Sequence, residues 1–161
     1  MLSIDISPLS LGRHHFTLHP KGEALELDAD TFQDIEVALD LDRMEDRVLV
    51  SIQVEATVTL ECDRTLEPFE QAVEGTYQVY FAPPHFFGSA ERADEDDAMR
   101  VLPAGETELD LTQEVRDTLV LSLPTRRISP KAEAMDLPTQ FGGSDDAIDP
   151  RWEALRQLRS D

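Results

Sequence analysis

Val48-Leu49-Val50-Ser51-Ile52-Gln53-Val54-Glu55-Ala56-Thr57-Val58-Thr59-Leu60-Glu61-Cys62 is the stretch that decides the fold. Val48, Val50, Ile52, Val54, Ala56, Val58, Leu60 and Cys62 share one parity, and on the other parity only Leu49 is strongly apolar. A period of two is what a half-buried β-strand requires, because successive side chains point to opposite faces. The run breaks at Asp63-Arg64-Thr65-Leu66-Glu67-Pro68. A second alternating segment follows from Phe69 to Phe81, with Phe69, Val73, Tyr77, Val79 and Phe81 on one face. Gly75 falls on that face and reads as a bulge or bend.

Upstream, Ile35, Val37, Leu39 and Leu41 alternate with Glu36, Ala38 and Asp40. That is a third strand, joined by the polar Asp42–Asp46 connector as a hairpin. Leu2, Ile4 and Ile6 predict a short first strand. His14 to Leu18 predicts another, with His14, Phe16 and Leu18 on one face, and Ala24 to Leu27 a weak one. Residues 82–100 read as a long surface loop, Pro-rich at its start and acidic at Asp94–Asp97. Glu108 to Leu111 suggests a short strand. Leu111, Val115, Thr118, Leu119 and Ser122 then follow helical spacing, with Asp110 as N-cap and Gln113 three residues on. Pro124 stops that helix.

The expected class is α+β, mainly antiparallel β: a curved sheet or barrel-like body with one packed helix and a short C-terminal helix. The expected division is an acidic β-rich domain over 1–123, an extended or disordered linker over 124–148, and a helix over 149–161. Asp149 and Pro150 open that last helix as N-cap and first-turn proline, and Trp152, Leu155 and Leu158 form its apolar edge.

Lys plus Arg number 14 and Asp plus Glu 34 in 161 residues, a formal net charge of −20. A field of that sign repels nucleic-acid phosphates and favours cationic partners. Only Lys21 and Lys131 are lysines. Acid excess with so little lysine also suits a salt-rich cytoplasm, in which case the charge reports on the solvent. The N-terminus lacks a basic start and a long apolar run, and no stretch reaches the ~20 apolar residues of a membrane span, so a cytoplasmic protein without membrane contact is expected.

Sites for chemistry are sparse. The sequence has no P-loop, GxGxxG, GxSxG or HExxH. His15 and His19 have i, i+4 spacing, but their surroundings alternate as a strand. Cys62 is the single cysteine; on an apolar strand face it reads as a small buried hydrophobe. Arg126, Arg127 and Lys131 cluster beyond the helix, and Arg151 and Trp152 lie in the tail. The arginines and the lysine read as charges neutralising the acidic body, or as contacts for a partner or RNA, and Trp152 as an anchor that docks the tail or a partner.

At Cys62-Asp63-Arg64-Thr65-Leu66 the chain resembles the YceD-like family of large ribosomal RNA subunit accumulation proteins. The resemblance continues through Tyr77-Gln78-Val79-Tyr80-Phe81, then Asp110-Leu111, Val115, Leu119, Leu121 and Pro124, and Asp149-Pro150-Arg151-Trp152. It covers residues from about 10 to 159, with Cys62, Arg64 and Leu66 as the motif positions. Many relatives carry a second cysteine where this chain has Thr65, and many a cysteine cluster where it has Ala134 to Gly142. One cysteine cannot supply the four N or S ligands of structural zinc, so no metal and no cofactor are expected. The resemblance implies a non-enzymatic role in 23S rRNA accumulation and ribosome biogenesis. The negative body adds a preference for a basic ribosomal or assembly protein as partner, with the Arg64 turn as the first place to look for it. Direct pre-rRNA binding through Arg126, Arg127, Lys131 and the tail arginines is the second reading; no DNA binding is expected.

Overall fold

The computed structural model describes residues 1–86, 98–103 and 105–135. Its centre is the opening stretch. Strand β4 (Val48–Glu61) buries Val48, Val50, Ile52, Val54, Ala56, Val58 and Leu60 on one face. Burying a Val, Leu or Ile side chain contributes about 1.5–3 kcal/mol, so this strand anchors the core. The exception, Leu49, lies opposite Tyr80. Tyr80 belongs to a small second apolar group with Ala82, Met99 and Val101.

Five strands form one sheet in the order β2-β3-β4-β5-β6: β2 (Gly12–Leu18), β3 (Phe32–Arg43), β4, β5 (Pro68–Ala82) and β6 (Met99–Val101). Among the described residues the sheet is open, with β2 and β6 as edges, and is not closed into a barrel. Four strands are antiparallel to their neighbours; β6 runs parallel to β5. β6 overlaps the end of the stretch over 82–100 expected to be loop. It is three residues long and, among the described residues, pairs with Tyr80–Ala82, too short to give a period. Residues 87–97, including the Asp94–Asp97 run, lie outside the described residues. A separate two-stranded sheet pairs β1 (Ser3–Asp5) with β7 (Glu108–Asp110).

Two local expectations are corrected. Ala24–Leu27 is not a strand: Gly22–Leu25 forms a 3-10 turn, closed by Glu26 in the left-handed region at φ 55°. Leu25 is its fully buried anchor, and the flanking glutamates have little preference for a strand. The register between β4 and β5 runs without interruption past Gly75, opposite Val54, so no bulge lies there. The bulge is in β3, between Gln33 and Glu36, with Asp34 at φ 50°. It inserts the residue that lets both Phe32 and Ile35 face the core.

Gly75 serves a different purpose. Helix α1 (Thr112–Leu121) crosses the sheet there. A Cβ on Gly75 would sit 2.8 Å from Thr118 Cγ2 and closer still to Ser122 Oγ. The helix turns Val115, Thr118 and Leu119 inward as its spacing predicts. Its cap differs from expectation. Leu111 occupies the N-cap position, and the Asp110 carboxylate instead accepts hydrogen bonds from the Thr112 N–H and hydroxyl, at 2.9 and 2.6 Å. Glu114 is also buried, and Arg100 of β6 donates to it at 2.8 Å. This ion pair ties the parallel edge strand to the helix.

The chain divides into two compact units, Met1–Ser129 and Pro130–Asp161. The described part of the second contains a four-residue helix, α2 (Pro130–Glu133). The expected terminal helix over 149–161 lies outside the described residues. Among the described residues no helix is long and apolar enough to cross a membrane.

Candidate functional site

Two stretches meet beyond the end of β4, through contacts 64 and 67 residues apart in the chain. The first is the turn after Cys62. The Cys62 N–H donates to the Glu67 carbonyl at 3.0 Å, and the Leu66 N–H donates back to the Cys62 carbonyl at 2.8 Å. Leu66 takes φ 57° and is 70% exposed, so this motif leucine is a surface residue and not a core one. The second stretch is the segment after Pro124. Asp63 N–H donates to the Arg127 carbonyl at 2.7 Å, and Arg127 N–H returns a bond to Asp63 Oδ2 at 2.8 Å. Two residues on, the Ser129 N–H donates to Cys62 Sγ at 3.4 Å. The motif turn and the arginine segment are therefore clipped together, and Arg64, Arg126 and Arg127 are all exposed beside the clip.

The Cys62 side chain has no solvent exposure. Its thiol is nevertheless lowered to about 6, chiefly by the Ser129 N–H and then by a hydrogen bond from Thr65. Burial opposes these donors and is outweighed. Thr65 is thus a hydrogen-bond partner of the sulfur. The expected buried cysteine is found, but as a polar latch as well as a filler. Neither Asp63 nor Ser129 was among the predicted site residues. An Asp directly after the strand's last buried position is the only local signal for Asp63. Ser129 carries none, because its contact is with a residue 67 positions away.

The other predicted residues are scattered. Lys131 lies on α2 in the second unit, and Arg151 and Trp152 lie outside the described residues. His15 is on the outer face of β2 and sits 2.9 Å from Asp40; His19, just past that strand, is 4.0 Å from Glu36. Among the described residues no three His, Cys, Asp or Glu side chains are grouped to hold a metal ion.

The outer face of the sheet carries the acid. Glu36 of β3 is opposite Glu55 of β4, which is opposite Glu74 of β5. Like charges directly opposite one another destabilise a sheet. Asp40, Asp42, Glu61 and Glu70 lie on the same face. Beside this row a shallow groove of about 490 Å³ is lined by Arg13, His15, Asp40, Asp42, Ser51 and Gln78, among others.

The chain thus combines an open α+β sheet crossed by one helix, a clipped turn after β4 and an acidic outer face. Residues 50–159 match the family described as large ribosomal RNA subunit accumulation protein YceD, and the chain belongs to this family. The match begins within β4, so β1, β2 and β3 precede it. No curated protein and no solved structure gives a significant match.

Proposed function

We propose that this chain is a non-enzymatic, cytoplasmic factor in the accumulation of large-subunit ribosomal RNA, and that it acts by holding a basic ribosomal or assembly protein. The observation that carries this reading is the outer face of the sheet, where three glutamates stand in one row across three strands. A cationic segment laid along that row would relieve the repulsion and gain electrostatic complementarity, which speeds encounter and selects partners. The test is capture of bound proteins at moderate salt by the wild type and by a Glu36→Gln, Glu55→Gln, Glu74→Gln variant. Basic ribosomal or assembly proteins should be recovered by the first and depleted at least about tenfold in the second (about 1.4 kcal/mol). Equal capture by both sinks the reading, as does a depletion strain with normal 23S precursors and 50S subunits.

Direct RNA binding is favoured by one observation, the clip that sets Arg127 beside Asp63 and Arg64. Three arginines there are matched by Glu61, Asp63 and Glu67 in the same turn and strand end. That end has no net positive charge, and the protein partner is preferred. Charge reversal of Arg64, Arg126 and Arg127 should leave pre-rRNA association unchanged; a loss of binding would reverse the preference.

A further inference from the structure

We propose that β2 is a self-pairing edge, through which two copies of this chain join their five-stranded sheets into one continuous sheet, paired antiparallel at β2. Among the described residues β3 is the only strand beside β2, so one row of its backbone N–H and C=O groups faces outward. Such a row is a template for another strand. At seven residues β2 is the longer of the two edges, with no proline inside it. Its core-side residues His14, Phe16 and Leu18 are only half-buried, although Phe16 and Leu18 pack on the main core. An added strand would complete their cover.

Charge selects a second copy as the occupant. Any symmetric contact between molecules of net charge −20 is opposed wherever acids meet acids. Ile6–Gly22 is the longest stretch of the sequence without an Asp or Glu, 17 residues, and β2 lies at its middle. The basic side chains on this strip do not leave it strongly positive, because the acids of β3 sit behind them. Arg13 lies 3.9 Å from Asp42, His15 2.9 Å from Asp40, and the following His19 4.0 Å from Glu36. The strip is thus close to neutral on an acidic body. A basic segment added here would meet Arg13, His15 and His19 first, and an acidic one would meet the field of the whole chain.

The strand is also self-complementary in register. Antiparallel pairing about His15 overlaps all seven residues and keeps each side chain opposite one on its own face. It places Arg13 against Thr17, His14 against Phe16 and Gly12 against Leu18 of the other copy. No arginine then faces an arginine, and two His–Phe pairs close the half-buried side, in the manner of the aromatic cross-strand pairs that stabilise sheets. Shifting the register by one step of two residues opposes Arg13 to His15, or runs Arg13 off the strand.

The test is sedimentation of the full chain over a wide concentration range. The expected result is a monomer–dimer equilibrium, with a dimer of twice the 18.1 kDa chain mass. His15→Glu places two carboxylates opposite one another at the symmetry axis, on an exposed side chain. It should weaken dimerisation by at least about tenfold; because it also sets a carboxylate opposite Asp40, it should lower the urea midpoint of the monomer slightly, with unfolding still a single cooperative transition. Thr76→Glu, on the same face but on β5, should leave the dimer intact. Hydrogen exchange at high and low concentration adds an independent readout. The outward half of the β2 amides should gain protection only in the dimer. A chain that is monomeric throughout, or a dimer indifferent to His15→Glu, overturns the proposal. Neither result bears on capture of a basic partner by the glutamate row.

Discussion

Cys62 is the residue whose environment the sequence least foretells. Its burial follows from parity, since it ends the apolar face of β4. Its chemistry follows from Ser129 and Thr65, and the first of these is reachable only once the chain has folded back. The hydrogen bonds hold the thiol at about 6 against an ordinary value of 9.0, which makes a stability prediction. A group whose pKa is depressed on folding stabilises the native state fully above its unfolded value, and that stability is lost as pH falls through the folded value. The urea midpoint of the wild type should therefore gain between pH 6 and pH 9 relative to Cys62→Ala. The cavity left by the substitution and the repulsion among the acids both act on the comparison, but neither follows the cysteine titration. A difference between the two curves that is flat over this range would remove the latch. An absorbance titration of the thiolate near 240 nm should place the transition close to 6 in the folded chain and near the ordinary value in urea.

At the scale of elements, legibility followed length. β3, β4 and β5 were readable because each carries enough alternating positions to fix a face, and β4 shows the parity almost without error. β6 and the Gly22–Leu25 turn were not, since three or four residues hold too little pattern to separate strand from turn. Gly75 was visible as an anomaly, but its cause lay in α1, 43 residues downstream, pressing Thr118 against the bare backbone. The glutamate row belongs to this scale as well. No single strand shows it, because it arises only when the registers of β3, β4 and β5 are set together. Glu55 has a like charge on both sides, whereas Glu74 has one. Glu55→Gln should stabilise the fold by about 0.5–1 kcal/mol and Glu74→Gln by about half as much, given ~0.2–1 kcal/mol for a cross-strand charge pair. Both gains should fade as salt is raised, because exposed charges are screened over about 10 Å at 0.1 M. Urea denaturation at 20 mM and 500 mM salt reads the four values. Equal effects from the two substitutions would mean that the row does not act as a ladder.

For the whole molecule, the net charge of −20 admits two accounts that the sequence left side by side: adaptation to a salt-rich solvent, or attraction of a cationic partner. The partner account gives the alignment of Glu36, Glu55 and Glu74 across strands a use, whereas the solvent account asks nothing of their arrangement. The accounts also differ in how stability and binding respond to salt. Self-repulsion weakens the compact state, so the urea midpoint should rise with added KCl on either account. If the acids attract a partner, the association rate with a basic assembly protein should fall over the same range, because long-range steering is screened. Stability and association would then move in opposite directions between about 0.05 and 0.5 M KCl, a range set by the screening length. If the acids serve the solvent alone, the chain should reach its stable fold only near molar salt, and whatever it binds should bind best there. Stopped-flow association and equilibrium unfolding on one preparation, across one salt series, decide between the two; a rate that rises together with the midpoint overturns the partner account.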